Sequence, residues 1–259
     1  MKLSRTTIEH LKSASFILLL FVFWQVACVV FEVSPIVLPK PSAILSTLIV
    51  NMPALWPHIL QTLLTTLVGF FFGMVIGVAL GAIVGISRTA YNVAYPLLVG
   101  FSSIPKVAVV PIFVLWFGSG TLPAVLTALT TCIFPIVVSV ATGLATTEPE
   151  MEDVLKALGA SRYQVLRNVS LPRTMPYFFA SLKVAVTLAF VGTVLSETVA
   201  ANRGIGTVMM MATASFDVPL AFAGLFALAI LGILLYAVFA VIEKRICGWA
   251  TRKQDLAMN

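Results

Sequence analysis

Residues 62–86 read TLLTTLVGFFFGMVIGVALGAIVGI and contain no charged side chain. A helix crosses the hydrocarbon core of a bilayer with roughly 20 apolar residues, so this stretch is long enough to span a membrane. The whole chain of 259 residues has the same character, since 60% of its residues are hydrophobic and only 10% are charged. Soluble domains carry about 25% charged residues. The composition therefore excludes a soluble globular protein and indicates an integral membrane protein.

Five other stretches have a similar length and composition. They are residues 14–31, 93–117, 121–143, 177–201 and 218–242. A transmembrane β-barrel would instead show alternating segments of about ten residues, and the sequence has no such pattern. We therefore predict an all-α fold, a polytopic membrane bundle of six transmembrane helices.

The basic residues indicate the orientation of the chain. If the N-terminus is cytoplasmic, twelve Lys and Arg residues lie on the cytoplasmic side and only Lys40 and Arg203 lie outside. Short cytoplasmic loops carry most Lys and Arg in membrane proteins. We therefore expect a multi-pass protein of the cell inner (plasma) membrane, with both termini and the loop 144–176 in the cytoplasm. The net charge of +6 then reflects this topology and anionic lipid, and no nucleic acid partner is expected.

The spans divide the chain into three segments. Residues 1–61 hold a cytoplasmic tail, the first span and an extracytoplasmic connector, residues 62–242 form the core, and residues 243–259 form a cytoplasmic tail. In the connector, Ser42 precedes a stretch whose apolar positions share one face of a helix. These positions are Ile44, Leu45, Leu48 and Ile49. We expect a separate short helix that lies in the membrane interface.

Five glycines recur at every fourth position of the second span. They are Gly69, Gly73, Gly77, Gly81 and Gly85. Small residues at this spacing let two helix backbones approach closely. Because four residues turn a helix by about 400°, the glycine stripe drifts around the helix. We expect at least two neighbouring helices to share it.

The third span is interrupted by prolines. It reads VAYPLLVGFSSIPKVAVVPIFVLWFGSG, with Pro105 near its centre. A proline removes a backbone donor and bends a helix, and broken backbone at membrane depth is tolerated only against protein or a water-lined cavity. The polar residues Ser102, Ser103 and Lys106 lie beside this break. The pattern predicts an element that lines a translocation path.

Two charged residues, Lys106 and Glu197, are expected in the outer half of the membrane. Charged side chains inside spans usually pair with one another or line a water-filled route. We expect both to face the interior of the bundle, either as a salt bridge that fixes helix packing or as polar contacts on the substrate path. Lys183, near the inner end of the fifth span, is expected to extend to the lipid headgroups.

The longest polar stretch is residues 148–172, EPEMEDVLKALGASRYQVLRNVSLP. Its acidic start suits the positive end of a helix, and Gly159 is placed to end that helix. Ser161 and Gln164 form a capping box for a second helix, which we expect Pro172 to end. The sequence therefore predicts two short helices joined by a tight turn in the cytoplasm.

Three roles are open to this helical pair. A DNA-binding helix-turn-helix would use Arg162 and Arg167 on phosphates, but the element is tethered between two spans and has no supporting domain. A loop packed only on itself is a second reading. Docking into a cytosolic partner accounts best for a compact, capped element in a membrane chain.

The loop resembles the cytoplasmic signature of permease subunits of bacterial ABC importers, which reads E-A-A, three residues, G, nine residues, then I-x-L-P. Asp153 takes the acidic position, Val154 and Leu155 take the alanine positions, and Gly159 takes the glycine. Val169, Leu171 and Pro172 take the closing positions. This chain departs from the signature by Asp for Glu, Val-Leu for Ala-Ala and Val for Ile.

The runs SIPKVAVVPIFVLWFGSG, GASRYQVLRNVSLP and NRGIG resemble the subgroup of these permeases that includes taurine, alkanesulfonate, nitrate and pyrimidine-precursor importers. The resemblance implies a five-helix core plus one N-terminal helix, in a homodimer or a pair with a paralogous permease. It implies as partners a cytosolic ABC ATPase dimer and a periplasmic or lipoprotein solute-binding protein. The residues implied in ATPase coupling are Asp153, Val154, Leu155, Leu158, Gly159, Leu171 and Pro172.

The resemblance implies a transport subunit and not an enzyme. The chain has no G-x-x-x-x-G-K-[ST] loop for ATP, so a separate subunit would hydrolyse it. Cys28, Cys132 and Cys247 lie far apart, and no metal or cofactor is expected. A lysine at membrane depth favours a small anion such as a sulfonate, taurine or nitrate as solute; a pyrimidine or vitamin precursor is the alternative.

Two other classes of protein fit less well. A membrane-embedded enzyme would need convergent ionisable residues, and the sequence has no HExxH or GxSxG motif. A secondary transporter usually shows inverted repeats with broken helices in both halves, whereas only the third span is strongly interrupted here.

Overall fold

The computed structural model describes residues 5–85, 87–145, 154–155 and 157–257 of the chain, which are helical or irregular and contain no strand. The α-helices are α1 (Arg5–Val30), α2 (Pro41–Gly85), α3 (Arg88–Ser102), α4 (Val110–Phe117), α5 (Thr121–Ala145), α6 (Arg162–Val165), α7 (Leu171–Ala200), α8 (Ile205–Ala214) and α9 (Val218–Ala257). A 3₁₀ turn, Lys106–Val109, precedes α4, and a π turn, Leu166–Ser170, joins α6 to α7. The all-α prediction is confirmed.

The membrane-spanning candidates match the six predicted spans. Five helical stretches are long and apolar enough to cross a membrane: Leu11–Val30, Pro41–Gly85, Thr121–Ala145, Tyr163–Ala200 and Val218–Trp249. The sixth is a bent pair, Thr89–Ser102 and Lys106–Phe117, whose axes differ by 75°. The predicted break in the third span is therefore present, because Pro105 lacks the backbone donor that would continue the helix.

The connector between the first two spans differs from the prediction. The short interfacial helix does not exist as a separate element, since α2 begins at Pro41 and runs without interruption for 45 residues, about 68 Å at 1.5 Å per residue. Ile44 and Leu48 are buried. They also line, with Phe21 of α1 and Phe226 of α9, an apolar cavity of about 280 Å³. Ile44 and Leu48 are therefore turned toward protein, whereas Leu45 and Ile49, the other two residues of the predicted apolar face, are exposed.

The glycine stripe of α2 packs against a single helix, α5, so the expectation of two neighbours is wrong. A Cβ at Gly69 would lie 2.5 Å from Ala128 Cβ, one at Gly77 would lie 3.0 Å from Ile136, and the other three glycines also face α5. The contacted positions of α5 recur mainly at every fourth residue as well: Ala128, Cys132, Ile136 and Val140. Because the two stripes turn around their helices in the same direction, α2 and α5 stay in contact from Gly69 to Gly85.

The centre of the bundle consists of α2, α5 and α7. Ala128 and Ile136 of α5 and Ala185 and Ala189 of α7 are fully buried, and small residues here allow close packing of the backbones. Among the described residues of α1 only Cys28 is buried, and most of the apolar side chains of that helix are exposed. This arrangement agrees with a core of five helices and one additional N-terminal helix at its edge.

The N-terminal end of the fifth span also differs from the prediction. Pro172 does not end the second short helix, because α6, the π turn and α7 follow one another without a break. In the π turn, Leu171 N–H donates to Leu166 O, five residues back. This wider turn gives room for the Pro172 ring, which in a regular helix clashes with the carbonyl four residues earlier. The part of the loop from Arg162 onward and the fifth span are thus one helical unit.

Lys183 also has a different environment from the one expected. Its Nζ atom forms an ion pair with Glu243 Oε2 of α9 at 2.5 Å. The pair ties α7 to α9, so Lys183 has a protein partner in addition to any contact with headgroups.

Candidate functional site

The described residues of the loop 148–172 begin at Val154, and Val154, Leu155 and Ala157 are helical. Gly159 follows with φ +83°, a left-handed conformation that favours glycine. Ala160 N–H donates to Leu155 O at 3.0 Å, the six-residue bond of a Schellman helix end. The predicted helix stop at Gly159 is therefore present. Asp153, predicted to take part in coupling, lies outside the described residues.

The second half of the element begins with the predicted capping box. Ser161 N–H donates to Gln164 Oε1 at 2.7 Å, and Gln164 N–H donates to Ser161 Oγ at 3.3 Å. These reciprocal bonds satisfy two donors that the first turn of a helix leaves free. The helix they start is the one that continues into α7.

The element presents apolar side chains outward. Val154 and Leu158 are 60% and 78% exposed, and Leu171 is also exposed. Val154 and Leu158 are four residues apart, about one helical turn, so they lie on one face. Apolar side chains exposed together on a polar loop are candidates for a contact with a partner. This face, Val154 and Leu158 with Gly159 beside it, is called the coupling surface below.

At the break in the third span, backbone carbonyl oxygens accept hydrogen bonds from side chains of the same span. Lys106 Nζ donates to Phe101 O, Ser102 O and Ile104 O at 2.7, 3.1 and 2.9 Å. An ammonium group has three donors, so all of them are used on carbonyls around the C-terminal end of α3. A cation is favourable at this end of a helix dipole. Ser102 Oγ and Ser103 Oγ both donate to Val99 O.

Glu197 lies in the last turn of α7 and is only 2% exposed. Its Oε2 atom accepts hydrogen bonds from Thr62 Oγ1 at 2.9 Å and from Gly206 N–H at 3.1 Å. Its Oε1 atom has no partner among the described residues. Lys106 and Glu197 form no ion pair within the described part of the chain, so the salt bridge, one of the two arrangements expected from sequence, is absent.

Several residues around Glu197 were missed from the sequence. Gly204 N–H donates to His58 Nδ1 at 3.1 Å, and Ile205 N–H donates to Thr62 Oγ1 at 2.9 Å. Thr207 Oγ1 lies 3.2 Å from the carbonyl oxygen of Glu197. The sequence contained one signal for this cluster. Gly204 and Gly206 of NRGIG are separated by one residue and follow a span that has an acidic residue near its end. Glycines at such a position indicate a close approach of the backbone.

Comparisons with known proteins agree with this architecture. The family described as "Binding-protein-dependent transport system inner membrane component" matches residues 73–247, more than half of the chain. The formylaminopyrimidine transport permease protein ThiX of Halalkalibacterium halodurans is 30% identical over 246 residues, 95% of this chain and 98% of that protein. The riboflavin transport system permease protein RibX of Chloroflexus aurantiacus is 33% identical, over 90% of this chain and 88% of its own.

The taurine transport system permease protein TauC of Escherichia coli is 27% identical, covering 89% of this chain and 86% of that protein. Among solved structures, a chain of the MetNI methionine ABC transporter in an inward-facing conformation superposes with a TM-score of 0.66. It is 20% identical, and the alignment covers 75% of this chain and 97% of that one, so the likeness concerns the fold. The chain belongs to the family of inner membrane components of binding-protein-dependent transport systems, the permease subunits of ABC importers.

Proposed function

We propose that this chain forms the solute path of an ATP-driven importer and that its coupling surface docks into cytosolic ATPase subunits. The observation that supports this proposal is that the fifth span is one continuous helical segment from the loop to its other end. The exposed coupling surface adjoins Gly159, and the helix that follows runs from Arg162 through the π turn to Ala200. A displacement at the cytoplasmic end is therefore passed directly to the core of the bundle.

The partners follow from this role. A dimer of ATPase subunits would hold two copies of the coupling surface, which supports a homodimer or a pair with a paralogous permease. A solute-binding protein would deliver solute on the opposite side, where the connection between α7 and α8 exposes Asn202 and Arg203. The excess of Lys and Arg in the loops supports cytoplasmic N- and C-termini.

For the solute we propose a heteroaromatic compound of the pyrimidine or vitamin-precursor class. Two observations support this choice over the small anion that Lys106 favoured in the sequence. All three donors of Lys106 are bonded to carbonyl oxygens at the end of α3, so none of them is available to an anionic solute in this conformation. The formylaminopyrimidine and riboflavin relatives are 30% and 33% identical to this chain.

A sulfonate such as taurine is the second candidate. The similarity to TauC and to a putative aliphatic sulfonates permease of Bacillus subtilis, 27% and 25% identical, favours it. In this case Lys106 would have to release carbonyl oxygens to reach the anion, or another donor would have to bind it.

Purification and reconstitution test the proposal together. The tagged chain, purified from its native membrane, should bring down an ATPase with a P-loop and, in co-expression, a second copy of itself with a different tag. Proteoliposomes of this complex with its binding protein should take up labelled formylaminopyrimidine in preference to taurine, and only with ATP. Uptake driven by an ion gradient without an ATPase would contradict the proposal and indicate a secondary transporter.

A further inference from the structure

The middle of α2, the last turn of α7 and the start of α8 meet at one buried carboxylate. Glu197 belongs to α7, Thr62 to α2 and Gly206 to α8, and Glu197 Oε2 accepts a hydrogen bond from each of the other two. A carboxylate with two donors on one oxygen is a strong acceptor in a site with little water. One atom therefore joins three helices that are distant in sequence.

The start of α8 depends on this junction. The first N–H groups of a helix have no partner within the helix, and no side chain of the N-cap Gly204 supplies one. Instead, three consecutive N–H groups find acceptors on the neighbouring helices. They are Gly204 N–H on His58, Ile205 N–H on Thr62 and Gly206 N–H on Glu197.

The two glycines of this segment are explained by Glu197. A Cβ atom at Gly204 would overlap the Glu197 carboxylate, and one at Gly206 would lie 2.7 Å from both Glu197 Cβ and Val194 O. Gly204 also has φ +130°, where other residues are strained. The glycines therefore allow α8 to approach the end of α7 closely enough for its N–H groups to reach their acceptors.

We propose that Glu197 is a positioning residue that clamps the Ala201–Gly204 connection and the start of α8 to α2. This inference rests on the proposed function. With the clamp in place, the middle of α2, the end of α7 and the start of α8 move as one body when the coupling surface moves. The exposed Asn202 and Arg203, on the side that would receive the solute-binding protein, then follow each displacement of α7.

The clamp needs an acceptor at Glu197 and not a negative charge, whereas an electrostatic role of Glu197 on the path would need the charge. Glu197→Gln keeps an oxygen for Thr62 and Gly206, and Glu197→Leu removes it at similar volume. Thr66→Val is the matched control. It removes the hydrogen bond between Thr66 and Thr193 at 3.1 Å, which joins α2 to α7 one turn away without involving α8.

The test measures amide exchange over residues 201–208 and ATP turnover in the purified complex of permease and ATPase, with and without ATP and vanadate. In the wild type and in Thr66→Val, protection should be the same in both nucleotide states. Glu197→Leu should exchange about tenfold faster in this segment, as expected for the loss of a hydrogen bond of roughly 1.4 kcal/mol, and its ATP turnover should fall at least fivefold. Glu197→Gln should restore both readouts to within threefold.

Two results would overturn the inference. If Glu197→Leu left amide exchange unchanged, Glu197 would not hold α8. If Glu197→Gln kept full protection but lost ATP turnover as Glu197→Leu does, the charge itself would be used on the path. Failure of the wild-type chain to purify with an ATPase would instead contradict the proposed function, and the exchange measurement on the permease alone would still test the clamp.

Discussion

Lys106 caps the C-terminal end of α3, the first half of the broken span, with three hydrogen bonds to Phe101 O, Ser102 O and Ile104 O. These carbonyl oxygens lie at the end of α3, where the helix supplies no donors for them, and a hydrogen bond to a charged group contributes about 1.5–3 kcal/mol. Lys106 therefore holds the shape of the break.

Replacement of Lys106 tests this role at the residue scale. Lys106→Met should lower the maximal uptake rate of formylaminopyrimidine and taurine by a similar factor, since the shape of the path changes for every solute. Lys106→Arg should retain part of the rate because a guanidinium has five donors. Lys183→Met, which removes the pair with Glu243 instead, is the control. A rise in KM for taurine alone would show that Lys106 binds the anion directly.

At the scale of elements, the contact between α2 and α5 sets the core. The glycine stripe lets the two backbones approach until the space of each missing Cβ is filled by α5. At Gly69 the nearest atoms include Val125 O, 2.7 Å from a built Cβ. A backbone atom cannot rotate away, so any added side chain must push the helices apart.

Gly69→Ala should therefore destabilise the protein although alanine favours helices. Overpacking of a close contact costs typically about 1–3 kcal/mol. Gly100→Ala is the control, because among the described residues nothing lies within 4 Å of a Cβ there, and alanine should stabilise α3 by about 0.5–1 kcal/mol. Thermal unfolding in detergent, followed by the loss of monodisperse protein, measures both. Equal melting temperatures would refute the tight contact.

The elements also show which features the sequence determines locally. The six spans, the break at Pro105, the glycine stop at Gly159 and the capping box depend on composition or on bonds within a few residues, and all were predicted. The continuation of the helix through Pro172 was not, because a π turn upstream relieves the proline. The partners of Glu197 were missed since Thr62 and Gly206 come from other elements, and no local pattern fixes those contacts.

At the scale of the whole molecule, one continuous helical unit runs from Arg162 to Ala200. The coupling surface precedes the start of this unit, separated from it by Ala160 and Ser161, and the Glu197 junction lies in its last turn. The unit is long enough to cross a membrane. The account predicts that damage to the coupling surface blocks transport without disturbing the fold of the bundle.

The most direct measurement compares Gly159→Asp with Gly118→Asp in the purified complex. The two glycines have φ +83° and +76°, and no described atom lies within 4 Å of a Cβ at either position. Gly118 has ψ 176°, a conformation essentially restricted to glycine, so Asp strains the backbone at Gly118 as well. A loss of the ATPase in Gly159→Asp alone would therefore reflect the place of the substitution and not backbone strain. The account predicts that Gly159→Asp loses at least tenfold of the ATPase that co-purifies with the chain while Gly118→Asp retains it. Equal retention of the ATPase by the two variants would contradict docking at the coupling surface.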